Sequence, residues 1–258
     1  MADTGSPSPF MRMPSEIRAM IYGLLFDDGN NKVFEIRSQD PDVYASRANL
    51  PLRSSYGVDL SLVRQRISTT YQLRTAVDIH TSIMSVNRKI HGETTHLLYG
   101  NRTFSFYKDI EAIVPFLSDL TPGTRSLVQS ISLYKKGFVF CRESHRCEWS
   151  LLCGFLRDQM QLKKLRLIVE GGRPRHERDD AAQYTSTDFK TLSSVAYEPL
   201  EWVFQLLEIK GIQKLEITSE IRAIPEPSHS LAMAFFAAFS ASIENGFAEY
   251  LRRELTGI

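Results

Sequence analysis

Apolar residues recur at spacings of three and four from Ile17 to Leu25. Ile17, Met20, Ile21, Leu24 and Leu25 form one stripe, the mark of an amphipathic helix. Pro14 suits the opening turn, where a missing N–H costs nothing. Glu16 lies where the helix dipole favours an acid. Residues 1–9 are small, polar and proline-rich and read as a loose, disordered tail, and Asp27-Asp28-Gly29-Asn30-Asn31 stops the helix. Val33-Phe34-Glu35-Ile36 then alternates as a short strand does. Residues 37–74 lose any period. Six arginines face three aspartates there, and prolines, serines and a glycine break the pattern, so the stretch is expected to be a flexible, exposed insertion with a short helix near 60–66.

A second helical rhythm runs from Ile79 to Tyr99, with Gly100-Asn101 expected to end it as a left-handed cap. Thr103-Phe104-Ser105-Phe106-Tyr107 reads as a strand that pairs, hairpin-fashion, with Val33–Ile36. Ile110–Leu120 is expected to be a helix stopped by Thr121-Pro122-Gly123.

Beyond residue 121 the pattern changes. Val128–Leu133, Leu162–Leu167 and Ile212–Ile217 each read apolar-x-x-apolar-x-apolar, which predicts three short strands. Helices are expected over about 147–160 (Trp149, Leu152, Phe155, Leu156 and Met160 inward) and about 198–209 (Leu200, Val203, Phe204 and Leu207 inward). A last one runs from after Pro225 and Pro227 to about Leu255. Its row Leu231, Phe235, Phe239, Ile243, Phe247, Leu251 demands burial. Residues 171–194, polar and charge-balanced, read as a flexible loop. Strand–helix–strand repetition implies parallel strands with right-handed crossovers. The strand pattern resembles the core of leucine-rich repeats, although the spacings, 34 residues and then 50, are unequal. Lys136, Glu170 and Glu220 stand where such repeats carry asparagine. A generic βαβ layer fits equally. The expected class is α+β, an N-terminal region over 10–120 followed by a small α/β layer with leucine-rich-repeat-like parallel strands over 121–258.

Composition adds little to this picture. The chain of 258 residues is 43% hydrophobic with a net charge of +1, which favours a packed core and gives no general pull toward nucleic acid or membrane. The most apolar run, Leu231–Ile243, has 13 residues including two serines, short of the roughly 20 a bilayer requires, so a buried helix is expected. The opening lacks a signal-peptide pattern, and three cysteines crowded into 13 residues are unlike a secreted disulfide framework. The expected location is intracellular, cytoplasmic or nuclear.

Candidate chemistry is sparse. Cys141, His145, Cys147 and Cys153 invite a zinc reading, but their spacings miss the paired knuckles zinc favours, and Cys153 falls on the apolar side of a predicted helix. No phosphate-binding glycine loop, dinucleotide fingerprint or nucleophile elbow occurs. His91 and His96 are five apart, on different helix faces, and read as surface or partly buried residues. The arginines of 37–74 lack the aromatic interleaving of a nucleic-acid face. These readings point to a non-enzyme without metal or cofactor.

Two stretches carry a family likeness. Residues 13–25, Met-Pro-Ser-Glu-Ile-Arg-Ala-Met-Ile-Tyr-Gly-Leu-Leu, are similar to the L-P-x-E-I-R-x-x-I-Y-x-x-L-L opening of fungal F-box-like proteins, many known only as domains of unknown function. Residues 83–106 resemble that group's L-x-x-C-R-x-I-x-x-E-x-x-x-L-L-Y-x-x-N-x-F-x-F block. Together they cover about 37 residues in the family order; Met13 replaces leucine, and Val86-Asn87 replaces the usual Thr-Cys. The resemblance implies F-box-like helices in the N-terminal region. It also implies a helix that docks on the Skp-type adaptor protein of a cullin–RING ubiquitin ligase, while the C-terminal half holds an unknown protein target. Pro14, Ile17, Ile21 and Leu24 would be the docking anchors. A substrate adaptor predicts this stripe exposed. A self-contained scaffold or interaction domain, with no ubiquitin link, predicts it buried against 83–106. An enzyme predicts the Cys/His cluster converging in a pocket.

Overall fold

The computed structural model describes residues 8–26, 33–45, 53–60, 65–74, 79–137, 143–174, 182–224 and 230–257. Residues 1–7 of the expected tail, the expected stop at 27–31, Cys141 and the Pro225/Pro227 pair lie outside them, and Pro9, read as the tail's last residue, instead begins a helix. Two helices open the chain, α1 (Pro9–Arg12) and α2 (Ser15–Leu25). Pro14 sits one step earlier than expected, as the residue capping α2.

The fold is mixed α/β, built on one seven-stranded sheet in the order β2-β3-β1-β4-β5-β6-β7. The strands are β1 (Val33–Gln39), β2 (Tyr56–Leu60), β3 (Gln65–Arg74), β4 (Thr103–Ser105), β5 (Ser130–Lys135), β6 (Lys164–Pro174) and β7 (Lys214–Ile224). The expected pairing of β1 with β4 is present, but it is parallel, with Phe34 opposite Phe104. A hairpin turn joins antiparallel neighbours only, whereas parallel ones need a long crossover, and residues 40–102 supply it. That crossover contains more structure than a flexible insertion. It carries the short helix α3 (Pro41–Ala45) and strands β2 and β3, with β3 antiparallel to β1. Around the expected helix at 60–66, Leu60 and Gln65 belong instead to strands, and 61–64 lie outside the described residues.

Next come a 3-10 turn, Thr81–Ser85, and α4 (Arg88–Gly100). The expected continuous helix over 79–99 breaks because the Asn87 side chain caps α4, accepting from the Ile90 N–H at 2.9 Å; asparagine competes with helical backbone in this way. Its far end closes on Asn101 at φ −113°, without the expected left-handed cap. The helix expected over 110–120 is a 3-10 turn, Ile110–Ala112, leading into α5 (Ile113–Asp119). Pro122 opens a further helix, α6 (Pro122–Leu127), with Thr121 as its cap.

From β4 onward the strands run parallel. α7 (Glu143–Gln159) connects β5 to β6, and α8 (Ser186–Ser194) and α9 (Glu201–Leu207) connect β6 to β7. Part of the stretch read as a loop is therefore ordered: Gly171–Pro174 complete β6, and 186–194 form α8 behind a Thr185/Asp188 capping box. Along β6 and β7, Leu165, Leu167, Val169, Leu215 and Ile217 are buried while Lys164, Arg166, Lys214 and Glu216 are exposed. The alternation places one face against the helices and leaves the other to water. On the helical side, Trp149 meets Trp202 edge-on at 5.8 Å and its indole N–H donates to the Trp202 carbonyl at 3.0 Å.

The last helix is continuous through α10 (Leu231–Ser242), a π turn (Ile243–Phe247) and α11 (Ala248–Thr256). Phe235, Phe239, Ile243, Phe247 and Leu251 are buried as expected, and Leu231 is exposed. Four residues overshoot one α-helical turn by about 40°; the wider π turn absorbs part of that drift and holds Ile243, Phe247 and Leu251 on the core side. By length and composition Leu231–Thr256 also suffices to cross a membrane, and here its phenylalanines line the core.

The π turn also brings backbone close to α8. A Cβ on Gly246 would stand 2.1 Å from the Tyr184 carbonyl oxygen, whereas one on Gly123 meets nothing within 4 Å. Gly246→Ala is expected to destabilise the protein by about 1–3 kcal/mol and Gly123→Ala by nothing measurable, read as thermal midpoints by circular dichroism.

Candidate functional site

The two motif blocks meet in space. α2 packs on α4, and the contact is a polar fork. Arg18 donates from Nε to Glu93 Oε2 at 3.0 Å and from Nη2 to Glu93 Oε1 at 2.5 Å. Tyr22 adds its hydroxyl to Glu93 Oε2 at 2.9 Å, and Arg18 Nη1 reaches back to the Met13 carbonyl at 2.5 Å. The Arg18 side chain is only 4% exposed and that of Glu93 26%. A planar guanidinium held bidentately fixes the rotation of α2 about its axis as a single contact would not.

Apolar packing completes this inner face. The Phe10 ring of α1 tilts on Tyr22 at 5.8 Å, and Phe26 is buried. The open carbonyls at the end of α2, which need partners, are taken by the His80 N–H at Leu25 O (3.2 Å) and by Arg102 at Phe26 O (2.5 Å). The Arg102 guanidinium also lies 4.7 Å over the Phe34 ring, tying the helix to β1.

With Arg18, Tyr22 and Phe26 turned inward, the neighbouring stripe faces water. Leu24 is 77% exposed, Met20 67% and Ile17 43%; Pro14 is exposed and Ile21 half-buried. The four residues singled out by sequence lie along the helix and the turn that enters it, and Met20 extends their stripe. Sequence reasoning missed the inner face: Arg18 and Tyr22, four apart, were a visible signal, as was Glu93 in the second block.

The other candidates separate. Cys153 is buried, and burial pushes its thiol up to about 12, which suits a core residue and not a nucleophile. Cys141 and the side chains of His145 and Cys147 lie outside what is described. His91 and His96 are exposed, and no group of three or more metal-ligating side chains occurs among the described residues. A cleft of about 330 Å³ opens between β6, β7 and the π turn. Its polar groups serve the fold: Glu244 accepts from the Ser219 N–H and hydroxyl, both at 2.8 Å, and Ser240 accepts from the Gly172 N–H.

From just past the end of β4 a polar seam runs across β6 and β7. Lys108 pairs with Glu220 at 2.8 Å, and the Tyr107 hydroxyl donates to the same carboxylate at 2.6 Å. Arg222 pairs with Glu170 at 2.7 Å, and the Gly137 N–H donates to Glu170 at 3.1 Å. Tyr107 adopts φ 40°, a strained setting for a bulky side chain. These contacts join the end of β4 to β7 across two intervening strands.

No family model, curated protein or solved structure matches this chain. Its function is therefore argued from the helix and its surroundings.

The fork has a pH signature. Its side-chain hydrogen bond with Arg18, aided by Tyr22 and against the opposing effect of burial, holds the Glu93 carboxyl below its ordinary value. A carboxyl lowered on folding contributes stability that is present above the unfolded value, about 4.3, and is lost as pH falls through the folded one. Glu93→Gln is expected to lower the thermal midpoint at pH 7 and to flatten its decline below about pH 4; thermal melts from pH 7 to pH 3 check both.

Proposed function

We propose that this protein is an interaction module resembling an F-box-like substrate adaptor, which offers the outer face of α2 to a groove on a Skp-type adaptor protein of a cullin–RING ubiquitin ligase. The observation that carries the reading is the exposure of Ile17, Met20 and Leu24 on a helix whose other face is locked by Arg18, Tyr22 and Glu93. An apolar stripe at i, i+3 and i+7 on a rigid helix suits helix-in-groove recognition, because the helix is already ordered before it binds. The resemblance of residues 13–25 and 83–106 supplies the partner class. Pro14, Ile17, Ile21 and Leu24 act as anchors, and the C-terminal sheet is left for a target protein.

A second reading is a non-catalytic scaffold or interaction domain with no ubiquitin link. The parallel sheet and its helices favour it to the extent that they form a framework without a catalytic constellation among the described residues. It expects the stripe buried against 83–106, whereas Ile17, Met20 and Leu24 face water.

Affinity purification of the tagged chain from fungal lysate separates the two. The Skp-type adaptor is expected to co-purify and to be lost with Ile17→Asp plus Leu24→Asp. Both positions face water, so each substitution is expected to change stability by no more than about 0.5 kcal/mol. Retention of the adaptor by the double variant, or its absence from the parent purification, defeats the docking proposal.

A further inference from the structure

The open face of β6 and β7 carries more positive charge than the fold uses. Lys164 stands in register with Lys214, and Arg166 with Glu216. All four are exposed. Lys214 pairs with Glu216 at 2.6 Å, while among the described residues Lys164 and Arg166 close no ion pair or side-chain hydrogen bond. Like charges side by side on adjacent strands, about 4.8 Å apart, work against the sheet. Their one carboxylate is held low, first by its hydrogen bond with Lys214 and then by the charges of Lys214, Arg166 and Lys164.

Toward β5 the face closes over, with Ser132 and Tyr134 buried, so the cations stand at the β6–β7 side of it. The row through Arg166 continues into Ser132 and Ser105 on β5 and β4. Two residues beyond Arg166 lies half-buried Ile168, flanked in register by Tyr134 and Thr218. Lys164, Arg166 and Ile168 thus follow one another at about 6.6 Å, the distance between alternate residues of any extended chain.

We propose that this face binds an extended acidic peptide segment of another protein, with carboxylates at alternate positions set one over the Lys164–Lys214 pair and the next over Arg166. The repeat distance of the segment matches that of the strand beneath it, so each carboxylate finds a cation without distortion of either chain. Glu216 inside the patch and the lack of an exposed aromatic beside it disfavour a nucleic acid, which wants an unbroken basic track and stacking platforms. The proposal goes beyond the docking role of α2 and does not depend on it.

The test uses the full chain and a fluorescein-labelled peptide of alternating Glu and Thr, followed by fluorescence anisotropy. Binding is expected at about 0.05 M salt and to weaken at about 0.3 M, as screening of exposed charges requires. The variant Lys164→Gln, Arg166→Gln, Lys214→Gln is expected to weaken it about tenfold or more. Its thermal midpoint should stay close to the parent's, because the repulsion relieved and the exposed Lys214–Glu216 pair lost are both small. The Ile17→Asp, Leu24→Asp variant should bind the peptide as the parent does, which separates failure here from failure of the docking proposal. Absence of peptide binding, undiminished binding by the triple variant, or tighter binding of an oligothymidylate of equal charge overturns the assignment.

Discussion

The fork between Arg18 and Glu93 decides which side of α2 the protein keeps for itself. A helix of this composition, left to apolar burial alone, would turn Ile17, Met20 and Leu24 inward, because removing such side chains from water is worth about 1.5–3 kcal/mol each. Here a charged residue, 3% exposed, occupies the inner face instead. A buried guanidinium is tolerable only when its charge and donors are met. Glu93 and the Met13 carbonyl meet them, and the Tyr22 hydroxyl in turn donates to Glu93. Rotating α2 to bury its aliphatic stripe would break all of these contacts together, so the exposed stripe is a consequence of the fork. Arg18 and Glu93 are 75 positions apart, and one ion pair fixes both the packing of α2 on α4 and the surface that α2 presents.

The sheet carries this arrangement into the rest of the chain. α2 leads into β1 and α4 into β4, and the two strands lie parallel and adjacent. Once the fork sets the helices side by side, Phe34 and Phe104 come opposite each other and their rings meet edge-on at 5.7 Å. β4 then neighbours β5, and the sheet runs on without a break past residue 121, where the sequence pattern changes. The seam of Lys108, Tyr107 and Glu220, with Arg222 and Glu170, links β4 to the outermost parallel strand. The Lys108–Glu220 pair is partly exposed and contributes modestly, whereas the Glu170 carboxylate is buried and relies on Arg222 and the Gly137 N–H. The contacts of Tyr107 and Lys108 with Glu220 tie the end of β4 to β7, which backbone pairing connects only through β5 and β6.

What was legible in the sequence followed from period and chain-end chemistry. Ile131, Leu165 and Leu215 marked three strands through one recurring pattern, and the phenylalanines of the last helix announced their burial. Illegible features were those decided by distant partners. Nothing local says that β1 and β4 run parallel, because that depends on helices packed from far apart in sequence. Residues 65–74 look irregular alone and become a strand through antiparallel pairing with β1. Gly171 and Gly172 suggest a loop, yet β7 pairs with them and α10 lies so close that a Cβ on either would stand within 3 Å of neighbouring side chains. In α2, the stripe was visible from its spacing, but whether it faced core or water turned on Glu93.

The two surfaces argued for function are exposed for different reasons. On α2, apolar groups reach water because a polar fork has taken the inward position. On β6 and β7, the core already has its apolar residues from alternate positions, and the outward positions are free to carry any polar group. Sheet stability would be served there by small or oppositely charged neighbours. The protein instead sets Lys164 beside Lys214 and Arg166 next to both, with one carboxylate between them. In both places the side chains present are poorer choices for the isolated fold than their alternatives would be. A surface of that kind gains stability when a complementary molecule covers it: aliphatic groups want an apolar groove, and unpaired cations want carboxylates. An apolar helix face at one place and a cationic strand face at another therefore suit two partners of different chemistry, which is what the proposed adaptor role calls for.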